Sequence, residues 1–195
     1  MIAGVVLAAG EASRLGVPKQ LLTYRGSPLL AHVVNNLLRS QIDEVVVVIG
    51  SKAEQVLDLL KEYPVKVVIN SGFATGQSSS LKAGLAALDE STQAVLFALG
   101  DQPLVDSYTI DLLIRHYRHR TIVAPYYMGE RGNPVLFDRF FFTEIFSLSG
   151  DVGAREIILR HPESLVKVDV TDRGVVFDVD TWEDYRALQN YPGTS

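Results

Sequence analysis

The sequence predicts an α/β fold in which a largely parallel central sheet lies between two layers of helices. Apolar runs that are typical of interior strands alternate with segments of helical periodicity over about the first 120 residues, and this alternation indicates βαβ units with right-handed crossovers. The run Val45–Ile49 is unbroken and β-branched, as expected of a strand that is covered on both faces. A three-layer α/β/α architecture is therefore predicted.

The predicted strands are apolar runs that continue into the last fifth of the chain. They are Ile2–Leu7, Val45–Ile49, Val65–Ile69, Ala94–Leu99, Thr121–Ala124, Pro134–Phe137, Leu165–Val170 and Val175–Val179. Beyond Ala124 the alternation of strands and helices becomes less regular, because glycine and proline interrupt it repeatedly. We expect a single domain over residues 1–195, with a regular part at 1–124 and a less regular part at 125–195 that closes it.

Helix starts are predicted where a hydroxyl side chain precedes an apolar stripe with helical spacing. They are Ser27-Pro28 before Leu29, Ser51 with Glu54, Ser107 before Ile110, and Thr181 with Asp184. A serine or threonine at such a position can accept a hydrogen bond from an unpaired N–H of the first turn, and an acid three residues later completes a capping box. In the last helix we expect Trp182, Tyr185 and Leu188 to pack inward.

Composition narrows the classes of function. The 195 residues are 47% hydrophobic and 21% charged, with a formal net charge of −5; this is globular composition and it disfavours nucleic acid as a partner. There is no cysteine, which excludes disulfides and thiolate chemistry. The start of the chain is expected to be a strand, since it lacks the basic region of a signal peptide. No apolar run reaches the roughly 20 residues of a membrane span, and we expect a cytoplasmic protein.

A candidate phosphate loop follows the first strand. It comprises Leu7, Ala8, Ala9 and Gly10, with Arg14, Gly16 and Lys19 beyond them. Small residues allow main-chain N–H groups to approach phosphate oxygens closely, while an arginine and a lysine supply charge. The spacing fits neither a P-loop nor a dinucleotide fingerprint. A tight turn followed by solvated basic residues is the alternative.

A candidate metal site follows the strand Ala94–Leu99. Gly100 and Asp101 stand at its carboxyl end, where ligands bind in open α/β sheets. Mg²⁺ prefers oxygen ligands and retains water, so Asp101 with one more carboxylate suffices. Asp180 is a candidate for the second ligand, and Asp178 competes for that role because alternation along a strand turns both side chains the same way. The alternatives are a turn cap at Asp101 and a helix-dipole acid at Asp180.

Further polar residues are candidates for substrate contacts. Asn70 ends a predicted strand. Ser78, Ser79 and Ser80 precede an apolar helical stripe, and we expect at least one of them to bind a base or a phosphate through its hydroxyl or a helix-terminal N–H group. Gln102 and the segment Arg131-Gly132-Asn133 are candidates for binding a second substrate, since a glycine-flanked arginine and asparagine can meet a phosphate. Strand termination, helix capping and a plain turn are the alternatives.

Taken together, these motifs resemble the nucleotidyltransferases with a glycosyltransferase-A-like Rossmann fold, the fold of the nucleotide-diphospho-sugar transferases. Within that superfamily the chain is most similar to the molybdenum cofactor cytidylyltransferase group. Further stretches carry the resemblance over roughly residues 3 to 190: Asn70-Ser71-Gly72, Gly76–Leu81, Arg131–Phe137, Gly150–Arg155 and Asp178–Thr181. Leu-Ala-Ala-Gly is similar to the cytidylyl versions, whereas guanylyl relatives usually show Leu-Ala-Gly-Gly.

The resemblance implies a Mg²⁺-dependent transfer of CMP from CTP to the terminal phosphate of molybdopterin or its molybdenum form, with release of pyrophosphate. It implies that the first loop, including Arg14 and Lys19, holds the triphosphate and that Asp101 and Asp180 hold the metal. Residues 1–124 then bind the nucleotide and residues 125–195 the acceptor. A client molybdoenzyme is a possible partner.

Other functions remain open at this point. One is transfer of a different nucleotide or to a different acceptor on the same fold. Another is a non-catalytic module that holds a cofactor for delivery. A third is an NAD(P)-dependent oxidoreductase, which the missing dinucleotide fingerprint disfavours.

Overall fold

The computed structural model describes residues 1–9, 17–50 and 54–192. The strands are β1 (Ile2–Ala8), β2 (Thr23–Tyr24), β3 (Ser27–Pro28), β4 (Glu44–Gly50), β5 (Lys66–Asn70), β6 (Ala94–Leu99), β7 (Ile122–Tyr127), β8 (Glu130–Arg131), β9 (Val135–Asp138) and β10 (Leu165–Asp169). The helices are α1 (Leu29–Leu38), α2 (Glu54–Leu60), α3 (Gln77–Ala86), α4 (Ser107–His116), α5 (Phe142–Ser147), α6 (Arg155–Arg160) and α7 (Trp182–Gln189).

The strands form a mixed sheet with β1 near its centre. The order is β10-β7-β9-β6-β1-β4-β5, with β8 added at the side of β7, while β2 and β3 pair separately. Strand β1 runs parallel to both β4 and β6, and β5 runs parallel to β4. Strand β9 is antiparallel to its neighbours β6 and β7. The predicted α/β fold with a largely parallel sheet is confirmed.

Helices cover both faces of this sheet. Val6 packs on the face that α1, α2 and α4 cover, whereas its neighbour Val5 packs on the face that α3, α5 and α6 cover. Side chains of a strand alternate between the two faces, so a strand covered on both sides must be apolar throughout. Val45–Ile49 is buried along its whole length, as predicted.

The predicted strand Val175–Val179 is wrong. A 3-10 turn runs over Arg173–Val176, because the Asp172 side chain accepts a hydrogen bond of 2.7 Å from the Gly174 N–H and turns the chain away from an extended course. The backbone beyond the turn bonds to loops at the strand ends: the Val179 N–H donates to the Asp101 carbonyl at 3.2 Å. This departure carries residues 178–180 to the end of β6.

The helix-start predictions are partly confirmed. Thr181 and Asp184 form the predicted capping box at α7. Helix α4 is capped by Asp106, whose side chain accepts from the Thr109 N–H at 2.7 Å, and not by Ser107. A carboxylate one residue earlier is as good a cap as serine, and Ser107 becomes the first helical residue.

Two other predictions about helix starts differ from the structure. Ser27 and Pro28 belong to strand β3, and α1 begins without a side-chain cap. Trp182 is 44% exposed, while Leu188 is fully buried. Helix α7 therefore packs through the side that carries Leu188, and Trp182 stacks edge-on against Tyr185 at the surface. Ser51 lies outside the described residues.

None of the helices in the described ranges combines the length and the apolar composition that a membrane crossing requires.

A buried phenol–carboxylate pair joins α4 to the sheet and gives a testable pH dependence. The Tyr117 hydroxyl donates to Asp138 at 2.6 Å, and Asp138 is 1% exposed. Burial, then the hydrogen bond and charge of Asp138, raise the pKa of Tyr117 above its usual value. Stability from this pair is fully present below about pH 10, the usual pKa of tyrosine, and is lost as the pH rises towards the folded-state pKa.

We expect Tyr117→Phe to lower the free energy of unfolding by about 1–3 kcal/mol near neutral pH, since it leaves one oxygen of a buried carboxylate without this donor. Urea unfolding between pH 8 and 11 checks it: the difference between the native protein and the variant should shrink as the pH passes 10. A difference that stays constant over that range would contradict the coupling.

Candidate active site

A cleft of about 880 Å³ opens at the carboxyl ends of the central strands. Ligand sites usually measure roughly 300–1,000 Å³ and lie at this edge of an α/β sheet. Its walls come from the end of β1, the end of β6, the start of α3 and the segment before α7. The residues that line it include Leu7, Ala9, Lys19, Gln20, Gly76, Gln77, Ser80, Leu99, Gly100, Asp101, Asp151, Asp178 and Asp180.

The ends of β1 and β6 approach each other closely beneath this cleft. The Gly100 N–H donates to the Leu7 carbonyl at 3.0 Å. A Cβ on Gly100 would lie 3.1 Å from the Cβ of Ala8, so small residues are needed at both positions. The buried Gln20 side chain donates to the Ala8 carbonyl at 2.9 Å and fixes the end of β1. The remaining loop residues Gly10, Arg14 and Gly16 lie outside the described residues.

An ion-pair cluster lies at the centre of the cleft. The Lys19 ammonium contacts the Asp101 carboxylate and lies 2.8 Å from an Asp180 oxygen. The side chains of Lys19 and Asp101 are 17% and 13% exposed, whereas that of Asp180 is 54% exposed. Burial by itself lowers the pKa of Lys19, but the two carboxylates outweigh it and the pKa lies above its usual value. Lys19 therefore carries a permanent positive charge in the cleft.

Asp178 adds a third acid beside this cluster. Its residue is exposed at the cleft edge, but protein atoms crowd its carboxyl group; this desolvation, followed by the charge of Asp101, raises its pKa. The side-chain amide of Gln102 donates to Asp178 and, at 3.3 Å, to the Val175 carbonyl. Asp178 and Asp180 thus differ in their partners: Gln102 holds the first and Lys19 contacts the second.

The position of Gln102 does not agree with its predicted contact to an acceptor. It is only 2% exposed and lies behind the cleft wall. Because its amide donates to both Asp178 and Val175, it positions the segment before α7.

The donor set of the cluster fits a hard divalent cation. Asp101 and Asp180 present carboxylate oxygens to one point, and Lys19 stands there as a positive charge. Within residues 1–9, 17–50 and 54–192, no group of three or more His, Cys, Asp or Glu side chains has the arrangement of metal ligands. A site of two carboxylates suits Mg²⁺ or Mn²⁺, which are completed by phosphate oxygens and water, and Lys19 would then move towards the phosphates.

The serines at the start of α3 have different environments from those predicted. Ser78 is 2% exposed and its hydroxyl donates to the Gly150 carbonyl at 2.8 Å. The hydroxyl of Ser79 donates to the Gly76 carbonyl at 2.8 Å. Of these three candidate serines, Ser80 is the one that lines the cleft. Helical geometry decides this, since successive residues point about 100° apart.

Asn70 is a structural residue in this arrangement. Its amide donates to Ser79 at 2.8 Å and to Ser80 at 3.1 Å, and its oxygen accepts from the Gly72 N–H at 3.0 Å. These bonds tie the end of β5 to the start of α3. Among the described residues, Gln77 and Asp151 also line the cleft, and the sequence analysis did not name them as site residues. The Gly-Gln-Ser-Ser sequence before an apolar stripe is the signal that could have identified Gln77.

The predicted acceptor segment borders the cleft on the other side. Arg131 and Asn133 line a second cavity of about 170 Å³. Gly132 lies between them against the 3-10 turn, where a Cβ would come within 2.4 Å of the Val175 carbonyl oxygen. Gly132 therefore permits close packing, while its neighbours point into the cavity.

Comparison with known proteins identifies relatives over almost the whole chain. The family model described as the MobA-like NTP transferase domain matches residues 4–165. The nicotine blue oxidoreductase of Paenarthrobacter nicotinovorans is 34% identical over 197 residues, which cover 96% of each protein. This relative and the family model thus bear names of two different enzyme classes.

Solved structures share the fold. Rv0371C of Mycobacterium tuberculosis H37Rv, solved as a complex with manganese, is 30% identical with a TM-score of 0.85, and the match covers 97% of this chain and 98% of that one. A nucleotidyl transferase from Methanothermobacter thermautotroptrophicus is 26% identical with a TM-score of 0.86, covering 97% and 96%. The divalent metal in the first agrees with the oxygen donors that meet in this cleft.

Proposed function

We propose that this chain, which belongs to the MobA-like NTP transferase domain family, transfers CMP from CTP to the terminal phosphate of molybdopterin or its molybdenum form and releases pyrophosphate. The observation that carries the proposal is the meeting of Lys19, Asp101 and Asp180 in one cleft beside the end of β1. A polyanionic nucleotide binds where a cation can contact its phosphates and where carboxylates can hold a metal.

Each residue of the cleft has a separate proposed role that follows from its position. Asp101 and Asp180 would hold Mg²⁺, which when bound neutralises charge on the triphosphate. Lys19 would contact the phosphates of the leaving pyrophosphate, and the main chain at Ala8 and Ala9 would keep the phosphate-binding role that the sequence predicts for it. Gly10 and Arg14 keep the roles that the sequence predicts for them. Gln102 holds Asp178 and the segment that carries Asp180.

The acceptor phosphate can attack without a protein base. It is already ionised near neutral pH, so the protein has only to place it in line with the α-phosphorus and to stabilise the charge that builds on the leaving group. Residues 1–124 would bind the nucleotide, and residues 125–195, with Arg131 and Asn133, would bind the acceptor. The chain would act as one domain, in the cytoplasm, and pass its product to a client molybdoenzyme.

A nucleotide panel tests this proposal. The protein is incubated with Mg²⁺, molybdopterin and each of the four NTPs, and pyrophosphate release is measured. We expect release with CTP, at least tenfold less with GTP, UTP and ATP, and none after chelation of the metal. Equal release with every NTP would shift the proposal to another nucleotidyltransferase, and release with none would contradict it.

A second function is favoured by one specific observation, the 34% identity to a nicotine blue oxidoreductase over 96% of both chains. A fold of this type can serve another chemistry, and the same cleft could take the phosphates of NAD(P)H. Thermal shift separates the two: a ligand at 100 times its Kd adds about 2.7 kcal/mol of stability. Stabilisation by NADH or NADPH but not by CTP with Mg²⁺ would favour the oxidoreductase.

A further inference from the structure

A second cavity adjoins the cleft and is lined by both apolar and cationic side chains. It measures about 170 Å³, and its apolar lining comes from Leu81, Phe97, Val135, Phe137 and Ile158. Leu7, Gln77 and Leu99 line both spaces, so the second cavity is continuous with the place where the triphosphate is proposed to lie.

Two arginines contribute to the lining of this cavity. Arg131 comes from β8 and Arg155 from the first position of α6, and both line it together with Asn133. Burial, and then the nearby charge of Arg155, lower the pKa of Arg131. Neither arginine forms a salt bridge to a carboxylate in the described part of the chain.

These two arginines make the cavity favourable for an anion. Arg131 is half-buried and Arg155 is an exposed cation, and both line the same space, so an anion bound there would face two guanidinium groups. Guanidinium groups match the oxygens of a phosphate through paired N–H donors. An apolar cavity next to that anion site is suited to an unsaturated ring attached to the phosphate.

On the basis of the proposed function, we propose that Arg131 and Arg155 together bind the phosphate of the acceptor. The second cavity then holds part of the ring system to which that phosphate is linked. The acceptor is thus a phosphomonoester of a largely planar, partly apolar compound. Arg155 is the new element of this site. It acts as a specificity-determining residue, because it and the cavity select a ring-bearing phosphate over inorganic phosphate.

The proposed step balances without a proton transfer. An oxygen of the acceptor phosphate forms a bond to the α-phosphorus of CTP, and the bond between that phosphorus and the bridging oxygen breaks. The electron pair leaves with pyrophosphate. Both arginines remain protonated throughout, as arginine always does in proteins, and they orient the attacking oxygen.

The test uses phenyl phosphate as the probe, with inorganic phosphate and phenol for comparison, titrated calorimetrically into the protein. The variants are Arg155→Gln and Arg131→Gln. Arg115→Gln is the matched control, since Arg115 lies on α4, at the opposite face of the sheet, and loses the same charge. Lys19→Ala distinguishes phosphate bound at the triphosphate site, and CTP binding with Mg²⁺ is measured for every variant.

We expect phenyl phosphate to bind more tightly than phosphate or phenol. Arg155→Gln and Arg131→Gln should each weaken its binding by about 10- to 100-fold, the loss typical of a charge-assisted hydrogen bond. Arg115→Gln should leave it unchanged, and Lys19→Ala should weaken it less than either of these two arginine variants does. Retained CTP binding with unaltered phenyl phosphate binding in Arg155→Gln would overturn this inference. Loss of phenyl phosphate binding in Lys19→Ala alone would also overturn it. Failure of the native protein to bind CTP would instead overturn the proposed function.

Discussion

Asp101→Asn is expected to reduce pyrophosphate release by about 100- to 1,000-fold, because preorganised charge at the transferring phosphate usually has an effect of this size. The substitution keeps the size of the side chain and removes the charge that faces Lys19 in the cleft. Asp101 is the less exposed of the two carboxylates, with 13% of its side chain exposed against 54% for Asp180. Asp180→Asn should accordingly cost less activity.

Two quantities are measured. One is pyrophosphate release with CTP, and the other is Mn²⁺ binding, which is detected by electron paramagnetic resonance. We expect Mn²⁺ binding in the presence of CTP to weaken by at least tenfold in Asp101→Asn. Asp169→Asn is the matched control, since Asp169 is an exposed acid on the edge strand β10 and loses the same charge. Full pyrophosphate release by Asp101→Asn would rule out the metal role of Asp101.

Gly76→Ala is expected to lower the free energy of unfolding by about 3–5 kcal/mol, from backbone strain and overpacking together. Gly76 has φ of +114° directly before α3, and a Cβ there would lie 2.3 Å from the carbonyl carbon of Gly150. That neighbour is backbone and cannot rotate away, so the loop at 150 must separate from the start of α3. For a chain of this size the melting temperature should fall by roughly 6–20 °C.

Gly129→Ala separates the two causes of this loss. Gly129 also has a positive φ, of +85°, but no atom lies within 4 Å of the added Cβ. It should therefore show the backbone cost alone, about 1–2 kcal/mol. Because Gly76 lines the cleft, Gly76→Ala should also weaken CTP binding at temperatures where it is folded, whereas Gly129→Ala should not. Equal melting temperatures for the two variants would show that the loop at 150 yields without cost.

Local sequence patterns predicted the structure correctly where burial or capping acts within a short segment. The apolar run Val45–Ile49 is a central strand, because only a strand covered on both faces can be apolar at every position. Thr181 and Asp184 cap α7 because both bonding partners lie within three residues. Asp101 lies in the cleft because it directly follows a strand, and strand ends of a parallel sheet meet at one edge.

Local sequence patterns predicted the structure wrongly where a partner that is distant along the chain decides the conformation. Val175–Val179 is as apolar as a strand, yet its backbone bonds to the loop at Asp101 and its preceding turn is set by Asp172. Gln102 is polar and lies next to Asp101, but Asp178 holds its amide inside the protein. The Asp172 turn is local, but Val179 and Asp101, like Gln102 and Asp178, lie more than 70 positions apart along the chain, so no local rule detects these two contacts.

The sequence alone determined the class of fold, the family resemblance and the loop and acid that mark the cleft, since these depend on burial periodicity and on residues next to strand ends. Only the tertiary structure decided that Asp180 and not Asp178 contacts Lys19, which of the three serines lines the cleft, and that Arg131 and Arg155 line the same second cavity. The physical reason is that a contact between remote segments depends on how the helices and loops pack against the sheet, and periodicity within a segment carries no information about that packing.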